Sequence, residues 1–166
     1  MNFRLALTVL AKHGVEYVLV GGAAVVAHGS TLMTQDLDIL YRVEPENVKR
    51  LLAAFEELDA YVFNDARRLR FGFEHLNNHG HHLTETRAGR IDALGSIGID
   101  GRIHYEHLLE DAVRLQVFGV QLLCISLDRL IEVKKELGRP RDQAAVLELE
   151  ALKRLHDDAP DRGCPD

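Results

Sequence analysis

The sequence contains few of the features that mark secreted, membrane-spanning or repetitive proteins. Its 166 residues include two cysteines and four prolines, with no internal repeat and no apolar segment of about twenty residues. Two cysteines do not build a disulfide framework, and without a long apolar segment no membrane span is indicated. The amino terminus lacks the basic and then apolar pattern of a secretory signal, so we expect a cytoplasmic protein.

Composition and charge indicate a globular chain. Hydrophobic residues make up 46% of the sequence and charged residues 28%, which suits one domain with a real core. We expect that domain at residues 1–158, followed by a flexible tail at 159–166. The net charge of −6 argues against a DNA coat protein, although basic clusters at 67–70 and 134–141 leave local contact with a phosphate backbone open.

Helical periodicity alternates with extended, β-branched segments along the chain. The predicted helices cover 3–13, 22–29, 45–58, 105–112, 127–137 and 143–156. The predicted strands cover 15–21, 36–42, 61–63, 69–76, 81–86 and 90–94, and a hairpin covers 115–125. This order predicts an α/β (α+β) fold with a mixed β-sheet flanked by helices and two C-terminal helices packed on the core.

The stretch VLVGGAAVVAHGSTLMTQDLDILYR, residues 18–42, places two acids on a strand that is otherwise apolar. Residues i and i+2 of a strand project to the same face, so Asp36 and Asp38 present two carboxylates side by side. Burial of such a pair is costly unless a partner holds the charge. Oxygen ligands suit Mg²⁺, so the spacing indicates a site for Mg²⁺ or Mn²⁺.

Two further features extend this hypothesis. Gly21 and Gly22 lie where a strand meets a helix, and glycine there lets backbone N–H groups approach an anion such as a triphosphate. Asp92, in the apolar segment GRIDALG, joins the acid pair if its strand neighbours the strand of Asp36 and Asp38. The three acids then converge on one site.

Each motif also has an ordinary structural explanation. A Gly-Gly pair is commonly a turn, and a D-x-D pattern is common on exposed strands. Asp36 alternatively forms a turn with Thr34, and Asp92 alternatively is a surface acid beside a turn. The combination of the motifs, rather than any one of them, favours a functional site.

The same residues carry a family resemblance. GGAAVVAHG followed by TQDLDI, the later RIDAL, and SLDRLIEVKKELGRPRD together resemble the nucleotidyltransferase-fold proteins of the DNA polymerase β superfamily, especially small bacterial AbiEii-like toxins. The likeness covers residues 15–152. It implies transfer of a nucleoside monophosphate from an NTP to an acceptor hydroxyl, on a tRNA end, a protein or a small molecule, with a cognate antitoxin or toxin as a further partner.

The resemblance also implies individual roles. On it Gly21 and Gly22 match the phosphate loop, Asp36 and Asp38 the metal carboxylates, and Asp92 the third acid, which holds or deprotonates the acceptor hydroxyl. Lys134 and Asp142 match nucleotide-binding positions near the end of the family pattern.

Both late positions have structural alternatives. Asp142 follows GRPR, where an acid is a natural helix N-cap, and Lys134 alternatively is a solvated helix residue.

The chain departs from the family pattern at two positions. Leu32 stands where relatives often carry an arginine, and Ala145 stands where they often carry an acid. These departures imply a different nucleotide grip or acceptor choice. The missing arginine favours a second hypothesis, a non-catalytic module of the same fold that partners a toxin or serves as an antitoxin, whereas the intact acids favour the enzyme.

Two clusters and one single residue complete the candidates. His79, His81 and His82 lack the spacing of a structural zinc site and more simply belong to a polar loop. For His28 we expect packing or a contact at a helix end. The arginines of 67–70 either bind an anionic acceptor such as RNA or form a solvated face.

Overall fold

The computed structural model describes residues 1–157, which form seven helices, one 3-10 turn and seven strands. The helices are α1 Phe3–Lys12, α2 Gly21–Ala27, α3 Pro45–Glu57, α4 Phe73–Leu76, α5 Tyr105–Leu108, α6 Leu127–Leu137 and α7 Pro140–Asp157. The strands are β1 Tyr17–Val20, β2 Asp36–Tyr41, β3 Tyr61–Val62, β4 His81–Thr86, β5 Gly89–Leu94, β6 Val113–Val117 and β7 Val120–Cys124.

All seven strands belong to one mixed sheet in the order β3-β4-β5-β2-β1-β7-β6. The pairs β1–β7 and β2–β5 are parallel, and the other pairs are antiparallel. The mixed sheet predicted from the sequence is therefore confirmed. The chain pairs β2 and β5 although some fifty residues separate them, so the central strands join distant parts of the sequence.

Local chemistry explains where the longer helices begin and end. Pro45 occupies the first turn of α3, and the Glu44 carboxylate accepts a hydrogen bond from the Asn47 N–H. The Ser126 hydroxyl accepts from the Arg129 N–H at the start of α6. Gly138 ends that helix in the left-handed conformation, with φ of +61°.

The core lies where the inward face of the sheet meets the helices. In β2, Leu37 and Ile39 are fully buried while Asp36 and Asp38 are half-buried, which is the alternation expected of a strand. The helices α6 and α7 pack along each other and contribute to the same core. The fully buried side chains include Leu10, Leu37, Ile39, Tyr41, Leu51, Ile91, Cys124 and Leu149.

The predicted strand at 69–76 is wrong. Its second half forms the single-turn helix α4, which begins after Gly72. The turn places Leu76 in the core, and its carbonyl accepts a hydrogen bond of 2.6 Å from the Tyr41 hydroxyl. Arg68 before it has a positive φ, which ends any extended run. Alternating apolar residues fit a strand, but Phe73 and Leu76 also have the spacing of one helical turn.

The last helix begins earlier than predicted, at Pro140 rather than at Gln143. Proline is favoured in the first turn of a helix because its missing N–H would have no partner there. The predicted tail at 159–166, with Cys164, lies outside the described residues. None of the helices within residues 1–157 combines the length and the apolar character needed to span a bilayer.

Candidate active site

The three acids of the sequence hypothesis meet at the centre of the sheet. Parallel pairing sets Asp38 of β2 opposite Asp92 of β5, and Asp36 opposite Arg90. All four side chains line a cavity of about 600 Å³. The strand neighbourhood on which the three-acid hypothesis depended is therefore present.

Asp38 has the most perturbed environment of the three acids. Burial first, and then the nearby carboxylates Asp36 and Asp92, raise its pKa from 3.8 to about 6, although the Gly22 N–H and Arg90 lower it. A divalent cation would relieve this repulsion, and carboxylate oxygens are ligands that Mg²⁺ prefers. Asp36 and Asp38 thus fit such an ion.

The double glycine packs directly against the acid pair. Gly21 has a φ of +62°, and a β-carbon there would overlap the Asp38 carboxylate. The Gly22 N–H donates to Asp38 Oδ2 over 3.3 Å, and a β-carbon at Gly22 would lie 2.7 Å from Thr34 Oγ1. We expected the Gly22 N–H to face a phosphate, but in this structure it donates to the Asp38 carboxylate.

The turn predicted as the alternative role of Asp36 is also present. The Thr34 hydroxyl donates to Asp36 Oδ1 over 3.0 Å and lies 3.2 Å from its carbonyl oxygen. Thr34 lines the cavity as well, so the turn and the cavity wall are one structure. The two interpretations of Asp36 do not exclude each other.

Asp92 is buried and paired. Arg90 Nε donates to Asp92 Oδ1 over 2.9 Å, and its Nη2 donates to Oδ2 over 2.8 Å, a bidentate pair with a carboxylate that is only 8% exposed. Within residues 1–157, no group of three or more His, Cys, Asp or Glu side chains is arranged around a common metal position. The three carboxylates share the cavity, but here Asp92 is held by Arg90.

A second charged network lies in the same cavity, between α6 and α7. Asp142 accepts from Lys134 Nζ over 3.1 Å and from Arg139 Nε over 2.6 Å. Burial by itself raises the pKa of Asp142, but hydrogen bonds from Arg139 and Lys134 outweigh it and lower that pKa overall. Asp142 lies inside the first turn of α7, so the alternative that it is an N-cap is wrong. Lys134 is 12% exposed and is not a solvated helix residue.

Sequence reasoning missed two cationic residues of the cavity. Arg90 precedes Asp92 by two residues in a strand, so the rule that paired Asp36 with Asp38 would have placed it on the same face. Arg139 lies three residues before Asp142, which matches one helical turn. The two departures from the family pattern, Leu32 and Ala145, also line this cavity.

The remaining histidine candidates make contacts within the protein, and His81 also lines the cavity. His81 and His82 open β4, which confirms the predicted strand at 81–86 and corrects the placement of these two residues in a polar loop. The ring nitrogens of His79 and His81 lie 3.0 and 2.8 Å from the carbonyl oxygens of Gly95 and Ser96. His28 is the C-cap residue of α2, where its backbone N–H donates to the Ala24 carbonyl oxygen, and one of its ring nitrogens lies 2.7 Å from the Ile125 carbonyl oxygen; a contact at a helix end was expected. 

The arginines of 67–70 form a solvated face of ion pairs. Arg67 pairs with Asp65, and both Arg68 and Arg70 pair with Asp59. The surface cluster that the sequence left open as an anion-binding patch is therefore largely neutralised by its own neighbours.

We compared the chain with family models, curated proteins and solved structures, and only the solved structures match. No family model matches the chain, and no curated protein matches it. Among solved structures, the lincosamide antibiotic adenylyltransferase LnuA, solved with lincomycin bound, is similar at 14% identity with a TM-score of 0.59, over 88% of this chain and 92% of that one.

Two further solved structures agree. The antibiotic-resistance factor ANT(2'')-Ia matches at 14% identity with a TM-score of 0.57, over 92% of this chain and 88% of that one. TM1012 of Thermotoga maritima, a proposed nucleotidyltransferase, matches at 18% identity with a TM-score of 0.55, over 94% and 91%. The chain thus has the nucleotidyltransferase fold that its motifs predicted.

The raised pKa of Asp38 predicts how stability depends on pH. A carboxyl whose folded pKa exceeds its unfolded value favours the folded state most when protonated, so metal-free protein should lose stability as pH rises from about 4 to about 6. Asp38→Asn keeps an acceptor for the Gly22 N–H and should remove this loss, which we expect to be on the order of 2 kcal/mol. Urea unfolding in EDTA across this pH range measures it, and parallel profiles for the two proteins would contradict the electrostatic account.

The packing of Gly21 against Asp38 predicts a specific steric cost. Gly21→Ala should destabilise the fold by more than the ~1 kcal/mol of a left-handed alanine, since the methyl group overlaps the carboxylate. Gly119→Ala is the matched control, because Gly119 also has a positive φ, of +82°, but has open space around it. Chemical unfolding of both variants compares them, and equal costs would mean that the carboxylate moves aside freely.

Proposed function

We propose that this chain is a metal-dependent nucleotidyltransferase that moves a nucleoside monophosphate from an NTP to an acceptor hydroxyl. The observation that carries the proposal is the register that sets Asp38 beside Asp92 in one cavity with Asp36. Carboxylates held on two adjacent strands, with glycines packed beneath them, are the arrangement that the sequence motifs implied. The fold shared with the adenylyltransferase LnuA supports the same reaction class.

Asp36 and Asp38 would hold the ion. Bound Mg²⁺ or Mn²⁺ would stabilise the charge that develops on the phosphoryl oxygens during an in-line displacement. Asp38 is suited to this role because burial and the like charges of Asp36 and Asp92 raise its pKa, and an added cation would offset both effects. Thr34 and Gly22 fix the two carboxylates by hydrogen bonds, so the ligands are oriented before the ion binds.

The chain's other polar groups divide the remaining work. Lys134, whose ammonium is oriented by Asp142, would balance negative charge on the triphosphate, and Arg139 would support it from the other oxygen of the same carboxylate. Asp92 lies across from Asp38 and would hold or deprotonate the acceptor hydroxyl. This division places the nucleotide toward α6 and α7 and the acceptor toward β5.

The acceptor belongs to a tRNA end, a protein or a small molecule. LnuA was solved with an antibiotic bound, which supports including hydroxylated antibiotics among the candidates. The resemblance to abortive-infection toxins supports tRNA and protein, together with a cognate antitoxin as partner. Acceptor pockets are built from variable parts of a shared fold, so the experiment must offer every class.

One observation favours a second function, a nucleotide-binding module without catalysis. Leu32 lines the cavity at the position where relatives often carry an arginine, and its apolar side chain adds no charge for the phosphates. Such a module would retain metal and NTP binding and would act through a partner protein.

Nucleotide binding should be metal-dependent. NTP with Mg²⁺ should raise the melting temperature of the protein by mass action, and the double variant Asp36→Ala/Asp38→Ala should lose most of that shift. Differential scanning fluorimetry with ATP, CTP, GTP and UTP, with Mg²⁺ or EDTA, measures the effect. An unchanged shift in the double variant would place the nucleotide elsewhere on the protein.

Transfer itself separates the enzyme from the module. Protein incubated with an α-phosphate-labelled NTP and Mg²⁺ should label one class among total tRNA, cell protein extract and hydroxylated antibiotics. Asp38→Asn should abolish the transfer, since the effect of losing the ligand should reach several kcal/mol in the transition state. Lys134→Ala should weaken it less, and Lys49→Ala, which changes an exposed lysine of α3, should leave it unchanged.

Two negative results have distinct meanings. If NTP and metal bind but no acceptor class is labelled, the module replaces the enzyme. If neither binds, the likeness to nucleotidyltransferases is one of fold alone.

A further inference from the structure

Among the side chains that the structure describes, Arg90 is the cation that directly contacts the acid cluster. Asp36 and Asp38 make no ion pair there, and both oxygens of Asp92 accept from the Arg90 guanidinium. Three carboxylates with one guanidinium leave a charge of −2, the charge that one divalent ion balances. A guanidinium and a divalent cation bound to the same carboxylate repel each other, so the two compete for Asp92.

The guanidinium is supported on its other side by an aromatic ring. The Cζ atom of Arg90 lies 4.4 Å from the centre of the Phe63 ring, a cation–π distance. Phe63 follows β3, which lies beyond β4 in the sheet, on the side away from Asp36 and Asp38. This contact therefore anchors the guanidinium toward β4 rather than toward the acid pair.

A second acidic residue, Glu85, lies on β4 within the same face of the sheet as Arg90. Antiparallel pairing of β4 with β5 sets Glu85 directly opposite Arg90, so both side chains project from the same face of the sheet. Within the described part of the chain, Glu85 takes part in no ion pair or side-chain hydrogen bond. Arg90 thus pairs with Asp92, two residues further along β5, and lies opposite a second acid, Glu85, on β4.

We propose that Arg90 is an internal counter-ion, which neutralises Asp92 while no metal is bound and moves to Glu85 when a divalent ion enters the cavity. This inference rests on the proposed function, because it takes the acids as the metal site. Arg90 acts through Asp92 and is a positioning residue. The exchange gives the cavity two charge-compensated states, so a buried cluster of like charges is stable in both.

The exchange predicts opposite effects of its two partners on metal affinity. Arg90→Met removes the competitor but keeps a long apolar stem against Phe63, so Mn²⁺ should bind roughly tenfold more tightly. Glu85→Gln removes the destination of the guanidinium, so Mn²⁺ should bind about threefold more weakly. Isothermal titration of Mn²⁺ into metal-free protein without nucleotide measures both.

Matched controls separate this inference from the proposed function. Arg114→Met removes an exposed arginine from the edge strand β6 and should change the affinity less than twofold. Asp38→Asn should abolish the binding if the acids form the metal site, and retention of binding in that variant would defeat the proposed function itself. If wild-type binding depends on Asp38 but Arg90→Met binds Mn²⁺ equally or more weakly, the counter-ion is wrong while the metal site stands.

Thermal stability provides the second readout. Loss of the guanidinium leaves Asp92 buried without a partner, so metal-free Arg90→Met should melt at a lower temperature than the wild type. Mn²⁺ should raise its melting temperature by more than it raises that of the wild type. Should this variant not fold without metal, Arg90→Lys, which keeps the charge but not the bidentate geometry, should bind Mn²⁺ with intermediate affinity; an affinity at or below that of the wild type overturns the proposal.

Discussion

Parallel pairing of β2 with β5 fixes Asp38 beside Asp92, so two carboxylates that repel each other are held close together. The other polar groups of the cavity are arranged around this repulsion. Leu37, Ile39 and Ile91, which are neighbours of these acids along β2 and β5 and point to the opposite face, are fully buried, so a slip of register would expose the core. The acids therefore cannot move apart without unfolding the centre of the sheet.

The groups around the cluster each reduce part of this electrostatic cost. A backbone N–H of Gly22 donates to Asp38, the Thr34 hydroxyl donates to Asp36, and Arg90 pairs with Asp92. Apolar side chains at these positions would give a core of equal or greater stability, because buried charges rarely return their desolvation cost. A carboxyl with a raised pKa in a cavity, such as Asp38, is typical of a functional site, because its burial costs stability.

Sequence patterns predicted the parts of the fold in which local and tertiary preferences agree. The helix that begins at Pro45 and the helix from Leu127 to Leu137 were predicted to within one residue, because proline, serine and glycine mark their ends chemically. The segment at 69–76 failed because the burial of Leu76, a tertiary contact, decided between two periods that its apolar residues satisfy equally.

The residues of the candidate site also differ in how far the sequence alone could predict them. Asp36 and Asp38 were found as a pair because their spacing is local, whereas the approach of Asp92 depended on a strand pairing that one sequence leaves open. Charge partners were the least predictable. Arg90 lies two residues from Asp92, and Arg139 lies three residues from Asp142, so both spacings are local. Only the packed structure shows that these ion pairs face the cavity.

The charge of the whole cavity constrains how a nucleotide enters it. Among the side chains that the structure describes, the cations Arg90, Lys134 and Arg139 line it against four acids, and these cations are already paired with Asp92 or Asp142. Leu32 contributes no further positive charge. A polyanionic triphosphate placed beside unneutralised carboxylates would meet net repulsion, which is strong at the low effective dielectric of a partly buried site. If the proposed function holds, a triphosphate would therefore have to enter this site together with divalent cations, whichever acceptor the protein uses.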